Sequence, residues 1–334
     1  MRAMEVKKQR KKIIISILLF FVIFGILLTI ATFYDLQINH FLTRKSLADH
    51  TYYTNDIFAA SFESFGCTPL IFMIAFAFHI LYWYSIYHLK GALKIIGAIV
   101  TIAGLFTSYF YLCSDTFDYC RRHLSLTTKL EVAPMFNVIF GFFAIIFVAL
   151  GTLATRNFSK ESIKKLLPFA FALLFLCAVP SLIINMGIKA YVGRIRYRAM
   201  NMYPDNEQYG FAAFARWYEA KGQWLDDETK IELFGTADAL KSFPSGHTCD
   251  AGMTYGLIML NDALDIKKKK VRALLWICPI IFTGLVATSR LVAGAHFMSD
   301  VLVGGTASFV TMIIAREIFI LKGRNLKIVF GKIK

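Results

Sequence analysis

The stretch IIISILLFFVIFGILLTIAT (residues 13–32) decides the fold class. It is an uninterrupted run of 20 mostly apolar residues that follows the basic segment KKQRKK (7–12). An α-helix rises about 1.5 Å per residue, so about 20 apolar residues cross the hydrocarbon core of a bilayer. A basic head before an apolar run is also typical of signal peptides. No clear small-residue cleavage site follows, however, so we interpret this run as a retained membrane span.

Further apolar runs follow along the 334 residues. Hydrophobic residues make up 57% of the chain and charged residues only 18%, against about 25% in soluble proteins. The runs are continuous rather than alternating, which favours helices over strands. The sequence therefore predicts an all-α, polytopic membrane bundle with eight spans, at 13–34, 68–88, 93–113, 135–154, 166–186, 247–261, 271–288 and 298–320.

Lysine and arginine predict the orientation. An even number of spans puts both termini on one side, and the loops of that side hold 23 of the 37 basic residues. Because basic residues are retained in the cytoplasm, both termini are expected there. The net charge of +15 is then explained by anchoring in the membrane rather than by a surface that binds nucleic acid. A basic multi-span chain without an organelle signal is typical of a bacterial cytoplasmic membrane.

The longest segment outside the spans, 187–246, falls on the outer side. Its middle part, 209–235, mixes aromatic and charged residues. It is interpreted as an amphipathic helical loop anchored at the interface by Trp217, Tyr218 and Trp224, or as a lid over a site. The six cysteines have no spacing typical of a disulfide framework or a metal centre, although Cys113 and Cys120 could pair outside the cell.

Three short stretches at predicted span boundaries carry chemistry. The first is SRLVAGAHFMSD (289–300), in which His296 and Asp300 are four residues apart. On a helix they share a face, and a carboxylate that accepts a hydrogen bond from one imidazole nitrogen leaves the other free to react. Alone, the pair also fits a structural contact between helices. Arg290 lies at the same membrane depth.

The second stretch is PSGH (244–247), at the start of the predicted sixth span. Ser245 is a good helix cap, Gly246 lets the backbone approach a ligand, and free N–H groups at a helix start favour an anion. The third is KAYVGRIR (189–196), in which Lys189 and Arg196 are expected to share a helix face and could grip phosphate. Taken alone, PSGH also fits a plain helix cap. KAYVGRIR taken alone also fits a segment that contacts lipid headgroups.

The order and spacing of the three stretches resemble the type-2 phosphatidic acid phosphatase superfamily of membrane lipid phosphatases. The motifs of that family appear here as K(AYVGRI)RY, PSGH and SR(LVAGA)H(FMS)D. The only departure is Tyr197, where the family has proline, and the sequence alone predicts that Tyr197→Pro is mild. The resemblance implies a six-helix phosphatase core at 93–320 with its catalytic outer loop at 187–246, preceded by two extra spans (1–92) and followed by a cytoplasmic basic tail (321–334).

The resemblance also implies a mechanism. His296 is the expected nucleophile that forms a phosphohistidine, Asp300 supports it, and His247 protonates the leaving oxygen and then activates water. The phosphoryl oxygens are expected to be held by Lys189, Arg196, Ser245, Gly246 and Arg290. No cofactor or metal ion is expected, because these cations occupy the place of a metal.

The implied substrate is a lipid phosphate or pyrophosphate at the outer leaflet, such as undecaprenyl pyrophosphate, phosphatidylglycerol phosphate or phosphatidate. Two alternatives stay open: a lipid phosphotransferase of the same superfamily, and a non-enzymatic lipid-binding or transport protein. The sequence selects neither the natural lipid nor an oligomeric state.

Overall fold

The computed structural model describes residues 3–123, 129–219 and 225–331, and these ranges contain helices but no strand. The prediction of an all-α membrane protein is thereby confirmed. The α-helices are α1 (Ala3–Thr43), α2 (Ile57–Phe65), α3 (Thr68–His88), α4 (Gly91–His123), α5 (Lys129–Thr155), α6 (Lys160–Ser181), α7 (Lys189–Val192), α8 (Tyr197–Asn201), α9 (Asp227–Phe234), α10 (Gly246–Gly252), α11 (Gly256–Ala263), α12 (Lys269–Val292), α13 (Met298–Ala315) and α14 (Arg324–Val329).

Within the described ranges, seven helical stretches are long and apolar enough to cross a membrane, one fewer than the eight expected spans. They are Met4–Thr43, Ile57–His88, Gly91–His123, Pro134–Thr155, Lys160–Ile188, Lys269–Val292 and Met298–Ile320. The expected span 247–261 is instead divided into α10, a 3₁₀ turn (Met253–Tyr255) and α11. Glycine and polar residues in this stretch make it a poor continuous apolar helix.

The divided stretch nevertheless runs the length of α13. At its start, the Ser245 amide donates to the Asp300 carbonyl oxygen over 3.0 Å. At its end, Asp262 accepts a 2.8 Å hydrogen bond from Arg316 Nε, just beyond α13. The segment 246–263 therefore passes from one end of the bundle to the other inside a shell of longer helices.

The two ends of the described chain meet at one end of the bundle. Gln9 Nε2 near the start of α1 donates to Asn325 Oδ1 in α14 over 3.5 Å. The expected basic tail is therefore partly helical and packs against α1. The arrangement agrees with an even number of crossings, while the membrane face on which the termini lie stays a prediction.

The main apolar core joins the helices that carry the third and first motifs. Buried residues of α3, α6, α11 and α13 form one cluster, represented by Met73, Leu173, Ile258 and Met312. After Pro180, α6 continues as a π-helical turn (Leu182–Ile188) that ends directly before Lys189. The core thus fixes the ends of α6 and α13 from which the candidate site is built.

Cys113 and Cys120 are both free thiols. The sequence placed them at the start of an outer loop, where they could pair. In the structure α4 extends to His123, so both residues lie on one continuous helix.

Candidate active site

Three separated segments are joined by backbone hydrogen bonds at one end of the bundle. The Arg196 amide donates to the Ala239 carbonyl oxygen and the Ser242 amide donates to the Arg194 carbonyl oxygen, each over 2.9 Å. The Arg198 amide donates to the Gly294 carbonyl oxygen over 2.8 Å. These bonds bring the segments before α8, before α10 and before α13 together, so the three sequence motifs share one site.

His296 lies in the turn between α12 and α13, not on a helix. Gly294 in this turn has a φ of +57° and Phe297 caps α13. The expectation that His296 and Asp300 share a helix face is therefore wrong. His296 Nδ1 lies 2.6 Å from the Ser242 carbonyl oxygen and 3.7 Å from Asp300 Oδ2. A carbonyl can only accept, so Nδ1 carries the proton and Nε2 keeps its lone pair.

The environment also keeps His296 neutral. The ring is buried, and burial lowers the pKa of His296 to about 3. The imidazole is therefore uncharged at neutral pH, as a nucleophile must be.

Asp300 supports His296 through Ser242 rather than by a direct hydrogen bond. Its Oδ2 accepts from Ser242 Oγ over 2.6 Å and from the Phe297 amide over 2.8 Å. Its Oδ1 accepts from Arg194 Nη1 over 2.5 Å. The carboxylate thus holds both the residue that caps α13 and the residue whose carbonyl oxygen binds the imidazole.

Lys189 lies beside the second motif. A Cβ atom built on Gly246 would be only 2.9 Å from Lys189 Nζ, so the absence of a side chain at Gly246 permits this approach. Helix α7 ends at Gly193, which has a φ of +57°, so Lys189 and Arg196 do not share a helix face as expected. The left-handed residue redirects the chain after one helical turn.

Arg196 is held by backbone carbonyl groups. Its Nε donates to the Asp238 carbonyl oxygen over 2.7 Å, and its Nη1 donates to the Ala295 carbonyl oxygen over 3.3 Å. Ala295 directly precedes His296, and the charge of Arg196 acts on the imidazole. Arg196 therefore connects the first motif to the third.

Arg290 is a completely buried cation at the end of α12. Its Nη2 lies 2.9 Å from Glu63 Oε2, an ion pair whose angle does not meet hydrogen-bond geometry. No nitrogen of this guanidinium has a hydrogen-bond partner among the described residues. A buried guanidinium with unused donors is suited to bind an oxyanion.

The PSGH stretch forms the start of α10 as predicted. Ser245 caps the helix, because its Oγ accepts from the Thr248 amide over 3.3 Å. His247 packs against the edge of the Tyr119 ring, and its Nε2 is buried without a hydrogen-bond partner in the described part of the chain. His247 interacts electrostatically with Arg290, His296 and Lys189. The two histidines and the cations therefore act on one another.

Two candidate residues that sequence reasoning missed come from the amino-terminal part of the chain. Glu63 in α2 pairs with Arg290 and lies 3.6 Å from Arg198 Nη1 and 3.3 Å from His123 Nε2. Asp35 in α1 pairs with Arg194. Both carboxylates look like loop charges in the sequence, and only the fold brings them to arginines more than 100 residues away.

The aromatic outer segment reaches both α1 and the second motif. Trp217 Nε1 donates to Thr32 Oγ1 in α1 over 2.8 Å, and its ring stacks on Phe243. Tyr218 is exposed, as an interface anchor would be, and Trp224 lies outside the described residues. The described part forms a 3₁₀ turn (Phe211–Ala213) and α9, rather than one amphipathic helix.

Tyr197 is a structural residue, which changes the expectation for Tyr197→Pro. Its buried ring packs on Phe211 and Phe297, and its hydroxyl lies 2.8 Å from His40 Nδ1. Proline fits the first position of α8 but removes the ring, so Tyr197→Pro should destabilise the protein by about 3 kcal/mol or more. Thermal unfolding in detergent measures this, with Tyr197→Phe as the control that retains the ring. An unchanged melting temperature for Tyr197→Pro would contradict the packing argument.

The described residues contain no group of three or more histidine, cysteine or acidic side chains that could hold a metal ion. Residues 165–323 match the family model described as the PAP2 superfamily. No curated protein and no solved structure matches the chain. The matched range includes all three motifs and begins within α6.

Proposed function

Since residues 165–323 of this multi-pass helical protein match the model of the PAP2 superfamily, we propose that the protein hydrolyses a lipid phosphate or pyrophosphate at the outer leaflet of the membrane. The observation that carries the proposal is the arrangement around His296. Its Nδ1 is bound by the Ser242 carbonyl oxygen, so Nε2 is the nitrogen available to phosphorus. The buried Arg290 guanidinium supplies donors for the phosphoryl oxygens.

The reaction proceeds in two displacements at phosphorus. The lone pair of His296 Nε2 forms the P–N bond while the P–O bond to the lipid breaks, and His247, which enters the reaction as the imidazolium, donates a proton to the departing oxygen. His247 then takes a proton from water, which attacks phosphorus, and the P–N electron pair returns to Nε2. Lys189, Arg196 and Arg290, with Ser245 and Gly246, stabilise the charge on the phosphoryl oxygens.

An apolar groove supports a lipid rather than a water-soluble phosphate as the substrate. It lies between α1, α6 and α13, has a volume of about 400 Å³, and is lined by residues that include Phe24, Phe175, Pro180, Ile183, Val303 and Val310. Ile183 is six residues before Lys189, and Val303 is three residues after Asp300. A hydrocarbon chain in this groove would have its phosphate at the end of the bundle that carries the motifs.

Phosphate release from a substrate panel tests the proposal. Purified protein in detergent is incubated with undecaprenyl pyrophosphate, phosphatidylglycerol phosphate and phosphatidate, and inorganic phosphate is measured. Release from at least one lipid is expected, with a lower rate for a water-soluble phosphate monoester. Failure to release phosphate from any of them would contradict hydrolysis, and label transferred to a second lipid would indicate a phosphotransferase instead.

The pH dependence should report the charge of Lys189. Burial and the nearby Arg196 guanidinium lower the pKa of Lys189 to about 8. The ammonium group is charged below this pH and loses its proton above it, so kcat/KM is expected to fall by about tenfold per pH unit above pH 8. Lys189→Arg should move this decline to higher pH. Lys241→Arg should not, because Lys241 is a partly exposed lysine that pairs with Asp238. An unshifted decline in Lys189→Arg would exclude Lys189 as its source.

A further inference from the structure

Asp35 is a buried carboxylate near the carboxyl end of α1, 130 residues before the family-matched range begins. Only 2% of its surface is exposed. Its Oδ1 accepts from the Ser299 amide over 3.0 Å, and its Oδ2 accepts from Arg194 Nη2 over 3.0 Å and from Ser299 Oγ over 2.5 Å. Burying a carboxylate is costly, and each of these contacts is to the segments that hold the candidate site.

Arg194 connects Asp35 to Asp300. The guanidinium is completely buried, lies 4.1 Å from the centre of the Phe297 ring, and donates to both carboxylates. Its Nε donates to the Ala215 carbonyl oxygen over 2.8 Å, which fixes its plane. A displacement of Asp35 would therefore move Arg194 and, with it, the carboxylate that holds Ser242.

Asn39, one helical turn after Asp35, contacts the catalytic segment directly. Its Nδ2 donates to the His296 carbonyl oxygen over 3.0 Å. Residues four apart share a helix face, so α1 presents Asp35 and Asn39 together to residues 296–299. The same helix face therefore holds the backbone of His296 and the amino-terminal turn of α13.

The charges in this network are unequal. Two carboxylates, Asp35 and Asp300, surround the single cation Arg194, so the network has a net negative charge behind the imidazole. When His296 Nε2 bonds to phosphorus and Nδ1 keeps its proton, the ring becomes cationic. A fixed negative charge close to a ring that becomes cationic lowers the energy of that state.

We propose that Asp35 and Asn39 are positioning residues of the active site, so that α1 is an integral part of the catalytic machinery. The inference rests on the proposed phosphatase function. Asp35 acts through Arg194 and Asp300 on the phosphohistidine, and Asn39 fixes the backbone of His296. The amino-terminal span is then required for turnover as well as for membrane anchoring.

Steady-state kinetics of the full-length protein with the best lipid of the panel test this inference. Asp35→Asn preserves the shape but removes the charge, and is expected to lower kcat by about 10- to 100-fold, as loss of an orienting partner commonly does, with KM changed by less than about threefold. Asp35→Glu should recover part of kcat. The matched control is Thr29→Val in the same helix, because the exposed Thr29 hydroxyl bonds to the Gly25 carbonyl oxygen of α1 and to no other described residue.

The possible outcomes are distinct. An inactive parent protein contradicts the phosphatase function itself, whereas an active parent with a fully active Asp35→Asn contradicts only the inference. A lower kcat in monodisperse, folded Asp35→Asn with an unchanged KM supports it. If Asp35→Asn does not fold, the kcat of Asn39→Ala tests the inference instead. A loss of about tenfold in kcat is then expected, and full kcat would overturn the role of α1.

Discussion

His296→Ala is expected to reduce phosphate release by about 10⁴-fold or more, because removal of a nucleophile from a cooperating catalytic group costs several orders of magnitude. The loss should appear in kcat, since the lipid and the phosphoryl-binding cations are retained. The rate of phosphate release from the best lipid substrate, measured over hours at high protein concentration, checks the effect.

A control with the same chemical change distinguishes chemistry from folding. His88→Ala removes an imidazole at the opposite end of the bundle, where His88 Nε2 lies 3.1 Å from the Lys160 carbonyl oxygen. This variant should retain kcat within about threefold, as is usual for partly exposed positions away from a site. Activity that survived in His296→Ala would eliminate the proposed nucleophile.

Arg290→Lys is expected to lower kcat/KM by about 10²- to 10³-fold, the usual cost of losing one donor to a developing oxyanion. The substitution preserves the positive charge and the ion pair with Glu63 can persist. It removes the planar fork, however, whose three nitrogens have no hydrogen-bond partner in the described structure. A compact ammonium group cannot reproduce bidentate contacts to two phosphoryl oxygens.

Arg316→Lys is the matched control for this prediction. Arg316 pairs with Asp262 at the other end of α13, where its side chain is partly exposed. The control should change kcat/KM by less than about threefold, because exposed ion pairs contribute little. Near-normal kcat/KM in Arg290→Lys would show that the planar guanidinium is not required and that a positive charge at this position is sufficient.

The membrane bundle and the motif residues could be predicted from the sequence because both are local signals. Span length follows from hydropathy, and the spacings within SR(LVAGA)H(FMS)D and PSGH are short. Ser245 caps a helix as its residue type predicts. The match of residues 165–323 to the PAP2 superfamily agrees with the resemblance drawn from those same motifs.

The errors in the predicted geometry of the site arose where helical periodicity was extended through a turn. Gly193 and Gly294 adopt left-handed conformations. Gly193 ends α7 between Lys189 and Arg196, so these two residues do not share a helix face. Gly294 lies in the turn that holds His296, and α13 begins only at Met298, so His296 does not share a helix face with Asp300. The hydrogen bond assigned to Asp300 is made by the Ser242 carbonyl oxygen, and a backbone acceptor has no sequence signature. Glycine permits a left-handed conformation at both positions, but the sequence alone does not specify that conformation.

The buried charges could not be predicted for a different reason. Asp35 and Glu63 are stabilised by arginines that are distant in the sequence, and a single sequence contains no signal for such pairs. The sequence also predicted one continuous span at 247–261, whereas the structure divides this stretch into two short helices and a 3₁₀ turn. Residues surrounded by other helices need not be continuously apolar. Segments that contact protein rather than lipid are therefore the least predictable part of this bundle.

Covalent trapping of the phosphoryl group on His296 tests the central claim most directly. The purified protein is mixed with a ³²P-labelled lipid phosphate, quenched in alkali within milliseconds and digested with trypsin. The peptide 291–316 contains a single histidine. The mechanism predicts label in this peptide that is stable to alkali and lost in acid, and its absence from His296→Ala. Rapid phosphate release without any such label, or with label on another peptide, would contradict histidine as the nucleophile.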